Sequence, residues 1–367
     1  MARAIFGLDN VEIGSHGYAH PMDWRAGEKA ELSVPDLPDY VLSGESEISG
    51  TVDFINKNLS PPGKECRVML WTGWCNPSEE QLTSAYTSGV RNLNGGDPRM
   101  DSHYPSYAHM SPPVHQVGKY LQFLTSASNE YILTDDWTPP YYRFQNVVQT
   151  FENTGSPKRV VPVNIYIHYY IARNYPGLQG LRTTLKWVLD HPLAPVFVSE
   201  YVDVVRDFHW ARIAERGPGH WVIRKGPALQ TVRFDTPDMH IDLEASNGVI
   251  GYVNNKELGV TFVHLTDAAE VSVVTSESAP KRAFLRTATH IVKDFSHTPK
   301  GFEFVSGGVG LRTFEVAGLS DGANYEIHAS IDGEDFVVVN AAVSEGQVSF
   351  QIPKKTTKAI LVKAVLQ

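Results

Sequence analysis

Val11-Glu12-Ile13-Gly14-Ser15-His16-Gly17-Tyr18-Ala19-His20-Pro21-Met22-Asp23-Trp24 is the stretch on which the reading of this chain turns. Val11 to Ile13 has the character of a short buried strand, Gly14-Ser15 breaks it, and two histidines follow four positions apart. On one helical turn that spacing sets both imidazoles on the same side. Pro21 disfavours helical backbone angles at His20, so the turn is expected to end there. A strand running into a turn with two imidazoles is one way to hold a divalent metal at the end of a sheet. The alternative is a loop that carries two surface histidines.

Working outward, the chain changes character near residue 215. Before it, short apolar strands alternate with helices. Ile48, Val52, Ile55 and Leu59 recur at helical spacing, and Pro61-Pro62-Gly63 ends that helix. A strand is expected over Cys66–Trp71, then a helix opened by Ser78-Glu79-Glu80. Further strands are expected at Val90–Leu93, Tyr120–Thr125, Tyr131–Leu133 and Val160–His168. Helices are expected at Asn146–Thr154, Gly180–Leu189 and Ser199–Ala214. Strands and helices alternating in this way indicate a parallel α/β sheet or barrel. After Arg216-Gly217-Pro218-Gly219 the pattern is strand upon strand, as in a β-sandwich. The domains are therefore read as 1–216 and 217–367.

The 367 residues suit two domains, or one barrel-sized domain with an appendage. With 42% hydrophobic and 20% charged residues, the chain has ample material for a core. Its formal charge of -9, unbroken by a basic cluster, argues against nucleic acid as a partner. No apolar run reaches membrane-spanning length. Met1 to Asn10 lacks the apolar core of a signal peptide. Cys66 and Cys75 form no CxxC pair, and sequence alone does not say whether they are bridged.

In a parallel α/β barrel, residues just past the strand ends converge on one mouth. His16 and His20 follow the first strand, Trp71, Trp74 and Asn76 the second, and Asn94 and Asp97 the third. His168 ends the strand Val163-Asn164-Ile165-Tyr166-Ile167 and precedes Tyr169 and Tyr170. Each has a plainer reading: His168 as a histidine packed among aromatics, Trp71 and Trp74 as core or rim, Asp97 as a turn cap.

Taken together these residues resemble a known family. The run Glu12 to Pro21 resembles the histidine motif of the NodB-type polysaccharide deacetylases. Four further stretches resemble the branch found in Pel-type exopolysaccharide proteins: Val68 to Pro77, Asn92 to Asp97, Glu152 to Arg159, and Ile165 to Tyr170. The similarity continues through Ser199-Glu200-Tyr201 into the strand-rich tail. The implied fold is an incomplete (β/α) NodB-like deacetylase barrel followed by a C-terminal all-β sandwich-like domain.

The resemblance implies metal-dependent hydrolysis of N-acetyl groups on an amino-sugar exopolysaccharide. His16 and His20 match the metal-binding histidines, with Zn²⁺ the expected ion, and His168 matches the general acid. Trp71, Trp74, Asn76, Asn94 and Asp97 become candidate substrate contacts, and backbone amides after Trp71 candidate oxyanion donors. Tyr104, Tyr107, Trp137, Tyr141 and Tyr142 are candidates for stacking on sugar faces. Implied partners are the N-acetylated polymer and other exopolysaccharide export proteins, in the periplasm or cell envelope.

The family's paired aspartates, on a strand preceding the histidines, have no counterpart here, and Trp71-Thr72-Gly73-Trp74 stands where an Arg-x-Pro-Tyr stretch is usual. The resemblance therefore implies a fragment cut inside the barrel, with little or no deacetylase activity on its own. Two other classes stay open. One is a non-catalytic carbohydrate-binding or scaffold module; the other is a metal hydrolase drawing its third ligand from Asp97 or Asp101.

Overall fold

The computed structural model describes residues 2–26, 31–32, 37, 40–94, 99–125, 133 and 141–367. The chain divides into two compact units, Met1–Leu193 and Ala194–Gln367. The change in composition near residue 216 falls inside a hairpin of the second unit, so the helix expected to close the first half belongs to the second.

In the first unit a short helix α1 (Ala2–Phe6) precedes β1 (Ile13–Ser15), β2 (Cys66–Leu70) and β3 (Arg91–Leu93). These three strands are parallel, in the order β1-β2-β3, with Ile13 opposite Cys66 and Leu70 opposite Leu93. Parallel neighbours need crossover connections, and the helices α2 (Gly50–Asn58) and α3 (Glu79–Thr87) supply them. A wide π-type turn, Glu45–Ser49, leads into α2. Ser78 caps α3, accepting the Gln81 amide while the Gln81 side chain bonds back to the Ser78 N–H, which satisfies two otherwise orphaned donors. Ile13, Ile48, Val52, Met69, Trp71, Leu82 and Trp24 form the core between sheet and helices.

The remaining strand expectations for this unit are only partly met. Tyr120–Phe123 (β5) pairs antiparallel with Val114–Val117 (β4) in a separate ribbon. Tyr131–Leu133 lies outside the described residues except for Leu133. The segment expected as a strand over Val160–His168 enters no ladder among the described residues. Its Val163, Ile165 and Ile167 pack on a core of Phe144, Val147, Phe151 and Ile171. The helices α4 (Val147–Asn153) and α5 (Tyr175–Asp190) complete the unit. Among the described residues the sheet does not close into a barrel.

The second unit begins with α6 (Val198–Trp210), which stops at Ala211, where the backbone turns extended. β6 (Arg212–Gly217) then pairs with β7 (His220–Arg224). The strands that follow are β8 (Thr231–Phe234), β9 (His240–Ile241), β10 (Val249–Asn255), β11 (Val260–Leu265), β12 (Glu270–Ser276) and β13 (Phe284–Ala288). After them come β14 (Val292–Thr298), β15 (Gly301–Ser306), β16 (Gly310–Ala317), β17 (Asn324–Ile331), β18 (Glu334–Ala342), β19 (Gln347–Thr356) and β20 (Ile360–Leu366).

One six-stranded sheet, β19-β16-β13-β10-β11-β8, takes part in two cores. Phe314, Val316, Phe350 and Ile352 pack with Phe302, Phe304, Ile327 and Val362 of the sheet β14-β15-β20-β17-β18. Val263, Leu265 and Tyr252 pack with Ile223, Val271 and Val273 of the sheet β6-β7-β12-β9. The two halves of the shared sheet meet at one parallel pair, Gly251 opposite Leu285. A Cβ on Gly251 would stand 1.9 Å from the Leu285 carbonyl oxygen, so only glycine allows that approach.

Candidate functional site

The site lies at the C-terminal end of the parallel sheet in the first unit. Past β1 the chain does not form the helical turn that the histidine spacing suggests. Residues 16–20 are an irregular loop, with Gly17 at φ +77° and His20 at φ +54°. Histidine enters the left-handed region more readily than most side chains, and Pro21 keeps residue 20 out of the helical one. The rings meet nonetheless: the His16 and His20 centroids lie 5.0 Å apart, edge to face.

His16 is half-buried, and its Nδ1 is 2.9 Å from the Leu70 carbonyl oxygen at the end of β2. A carbonyl only accepts, so Nδ1 carries the proton and Nε2 keeps a lone pair. Burial pushes the His16 pKa down to about 4, against the Leu70 bond that raises it. A charge on His20 or on His168 pushes it in the same direction as burial. His168, 148 positions from His20 in the chain, is thus near enough for its charge to bear on His16.

His168 ends the segment 160–168 and precedes a short 3₁₀ turn, Tyr169–Arg173. Its ring stacks on Tyr170 at 5.0 Å and stands edge-on to Tyr166 at 5.5 Å. Tyr141 lies 5.5 Å beyond Tyr170. The neighbour Tyr169 is 94% exposed, Trp74 68% and Tyr18 59%, so these three present aromatic faces to solvent.

The other sequence candidates hold the loops together. Trp71 is fully buried, with its indole N–H on Asn92 Oδ1 at 3.1 Å and its ring edge-on to Trp24 at 5.0 Å. Its ring is core and offers no face to a sugar. Asn76 accepts the Trp24 amide at 3.1 Å and donates to Asp23 at 2.8 Å, so its amide clamps the loop after the histidines. Asn94, buried and at φ +99°, donates to the Trp71 carbonyl at 2.9 Å. Asp97 and Trp137 lie outside the described residues.

Two of the amides considered as oxyanion donors are committed elsewhere. The Trp74 N–H bonds the Met22 carbonyl at 2.8 Å, and the Cys75 N–H bonds the Thr72 carbonyl at 3.0 Å. Asp101 is equally engaged: it accepts from Arg99 at 2.6 Å and from the amides of His103 and Tyr104. Burial alone would raise its pKa, but those donors outweigh it and hold the carboxyl below its usual range. Cys66 and Cys75 are both free thiols.

Sequence reasoning missed three residues here. Glu47 is fully buried and accepts the amides of Tyr18 and Ala19, both at 2.8 Å. Tyr40 donates its hydroxyl to the same carboxylate. Gly73, at φ +55°, lets the loop after β2 meet the loop after β1: a Cβ there would stand 2.2 Å from the Met22 carbonyl oxygen. The available signal for Glu47 was its place just ahead of Ile48, at the edge of the buried stripe.

The donor set fits a divalent ion in part. Two imidazoles on one loop, one with its tautomer fixed by a backbone carbonyl, are the kind of donors such an ion takes. Among the described residues no group of three or more His, Cys, Asp or Glu stands in ligating geometry. Among the described residues the pair would supply two ligands. Comparison of the chain with protein-family models, curated proteins and solved structures gives no match.

Proposed function

We propose that the first unit is a polysaccharide deacetylase-type module, with an incomplete NodB-like barrel, that acts on N-acetyl groups of an amino-sugar exopolysaccharide. The observation that supports this reading is the ring contact of His16 and His20 at the end of one parallel sheet, with the charge of His168 bearing on His16. His16 and His20 would hold a divalent ion, with Zn²⁺ the expected one. Such an ion supplies Lewis acidity and a water made acidic near neutral pH.

The chain's own residues would do the rest. His16 stays neutral at pH 7, so it coordinates through Nε2 without first losing a proton. His168, held between Tyr166 and Tyr170, would protonate the departing sugar nitrogen, which leaves poorly as an anion. Trp74 and Tyr169 offer aromatic faces for pyranose rings. With two imidazole ligands and no carboxylate joining them among the described residues, turnover by this chain is expected to be slow. The polymer would be met in the periplasm or cell envelope, beside other export proteins. Among the described residues no helix is long and apolar enough to cross a membrane.

A second reading is favoured by the exposure of Trp74 and Tyr169: a carbohydrate-binding module that uses the exposed aromatics without catalysis. Acetate release from an N-acetylated amino-sugar oligomer, with Zn²⁺ supplied, separates the two. The deacetylase reading expects slow release that stops with chelator and in His16→Ala and His168→Ala. Oligomer binding with no release, unchanged by chelator or by His16→Ala, would replace it with the binding module.

A further inference from the structure

The loop that carries the histidine pair is bonded to a buried residue of the turn before α2. The carboxylate of Glu47, in the turn before α2, receives the N–H groups of Tyr18 and Ala19 on its two oxygens, each at 2.8 Å. Tyr40 donates its hydroxyl to the oxygen that also holds Ala19. Tyr18 and Ala19 are the residues through which the chain must pass between the two rings. Gly17 belongs to the same seat, because a Cβ there would lie 2.6 Å from Glu47 Oε2.

We infer that Glu47 is the positioning residue of the histidine pair. The His16 ring is fixed to β2 through Leu70, so its distance to His20 depends on the path of residues 17–19. That path is irregular and has no helical ladder of its own. A buried carboxylate that accepts two amides sets it instead, through charge-assisted bonds about twice as strong as neutral ones. The same side chain holds the segment that joins the two rings, through the amides of Tyr18 and Ala19. This inference rests on the reading of His16 and His20 as metal ligands; the positioning itself does not.

Glu47→Gln keeps the side-chain volume, removes the charge and sets an amide NH₂ against a backbone N–H. Zn²⁺ affinity, measured by competition with a chromophoric chelator, is expected to weaken about 10- to 100-fold, the usual consequence of losing an outer-shell partner. The circular dichroism of the chain should not change. In the metal-free protein, NMR should show the proton contacts between the His16 and His20 rings, and Glu47→Gln should lose them. Glu47→Asp, which keeps the charge, should recover part of the affinity.

Unchanged Zn²⁺ affinity in a folded Glu47→Gln protein, or unchanged ring contacts, overturns the inference. If the parent binds no Zn²⁺ at all, the ligand reading falls and the ring contacts alone decide Glu47. Should Glu47→Gln fail to fold, Tyr40→Phe removes only the phenol donor. It should weaken Zn²⁺ binding by less than about tenfold, and an affinity equal to the parent's overturns the inference.

Discussion

Gly73→Ala tests whether the loops after β1 and β2 form one seat. Gly73 sits at φ +55°, where an L-residue with a Cβ loses about 1–2 kcal/mol. Its Cβ would lie 2.2 Å from the Met22 carbonyl oxygen and 2.4 Å from the Met22 Cα, both backbone atoms that cannot rotate away. Relief requires the loops to part by about an ångström. That breaks the Trp74 N–H bond to the Met22 carbonyl and strains the bond from the Thr72 hydroxyl to the Pro21 carbonyl, at 2.8 and 2.6 Å in the parent. One such bond is worth about 1 kcal/mol net. Together the terms give about 2–3 kcal/mol, spent locally.

Because the chain has two units, a global unfolding curve need not be two-state. Amide hydrogen exchange read by mass spectrometry, on peptides covering 66–76 and 18–25, is the better assay. At 1.4 kcal/mol per factor of ten, exchange there should speed by about 30- to 150-fold, while peptides from 284–317 stay unchanged. Exchange in both loop peptides within twofold of the parent would refute the docking argument.

Trp71→Ala should destabilise the first unit by about 3–5 kcal/mol, because it empties a fully buried site and strands Asn92. A stable variant with weakened oligomer binding would instead make Trp71 a sugar contact. The pH dependence has a definite sign. Burial lowers the pKa of His16, His264 and His290 from 6.5, so the unfolded chain takes up protons that the folded chain refuses. Stability is then fully present above about pH 6.5 and falls as the pH drops, by at most about 1.4 kcal/mol per pH unit for each histidine. Urea midpoints from pH 7.5 to 5 should fall, less steeply in His264→Gln, and a flat profile would contradict the burial argument.

How much of this was legible in the sequence depends on the range of the interactions. The parallel strands at Ile13, Cys66 and Arg91 and the helices between them follow from local apolar spacing and from the Ser78 cap. So do the alternating strands that make the second unit β-rich. The expected strand ending at His168 packs Val163, Ile165 and Ile167 on a core but joins no ladder among the described residues, since alternation reports one packed face and not a neighbour. The helix after Ser199 stops at Ala211 because β7 offers β6 a partner, a long-range fact invisible in local propensity. The meeting of His16 and His20 was foreseen for the wrong geometric reason: the spacing suggested a helical turn, whereas a bent loop seated on Glu47 does it. Trp71 and Asn76 read as substrate contacts because strand-end polar and aromatic residues also serve as loop clamps, and only their partners tell the two apart.

The claim that the histidines form a ligand pair is tested most directly by titrating the intact metal-free chain with Zn²⁺ and counting ions bound. The account predicts one ion per chain at the pair, lost in both His16→Ala and His20→Ala while their circular dichroism matches the parent. An ion bound equally by parent and both variants, or none bound by the parent, would contradict it.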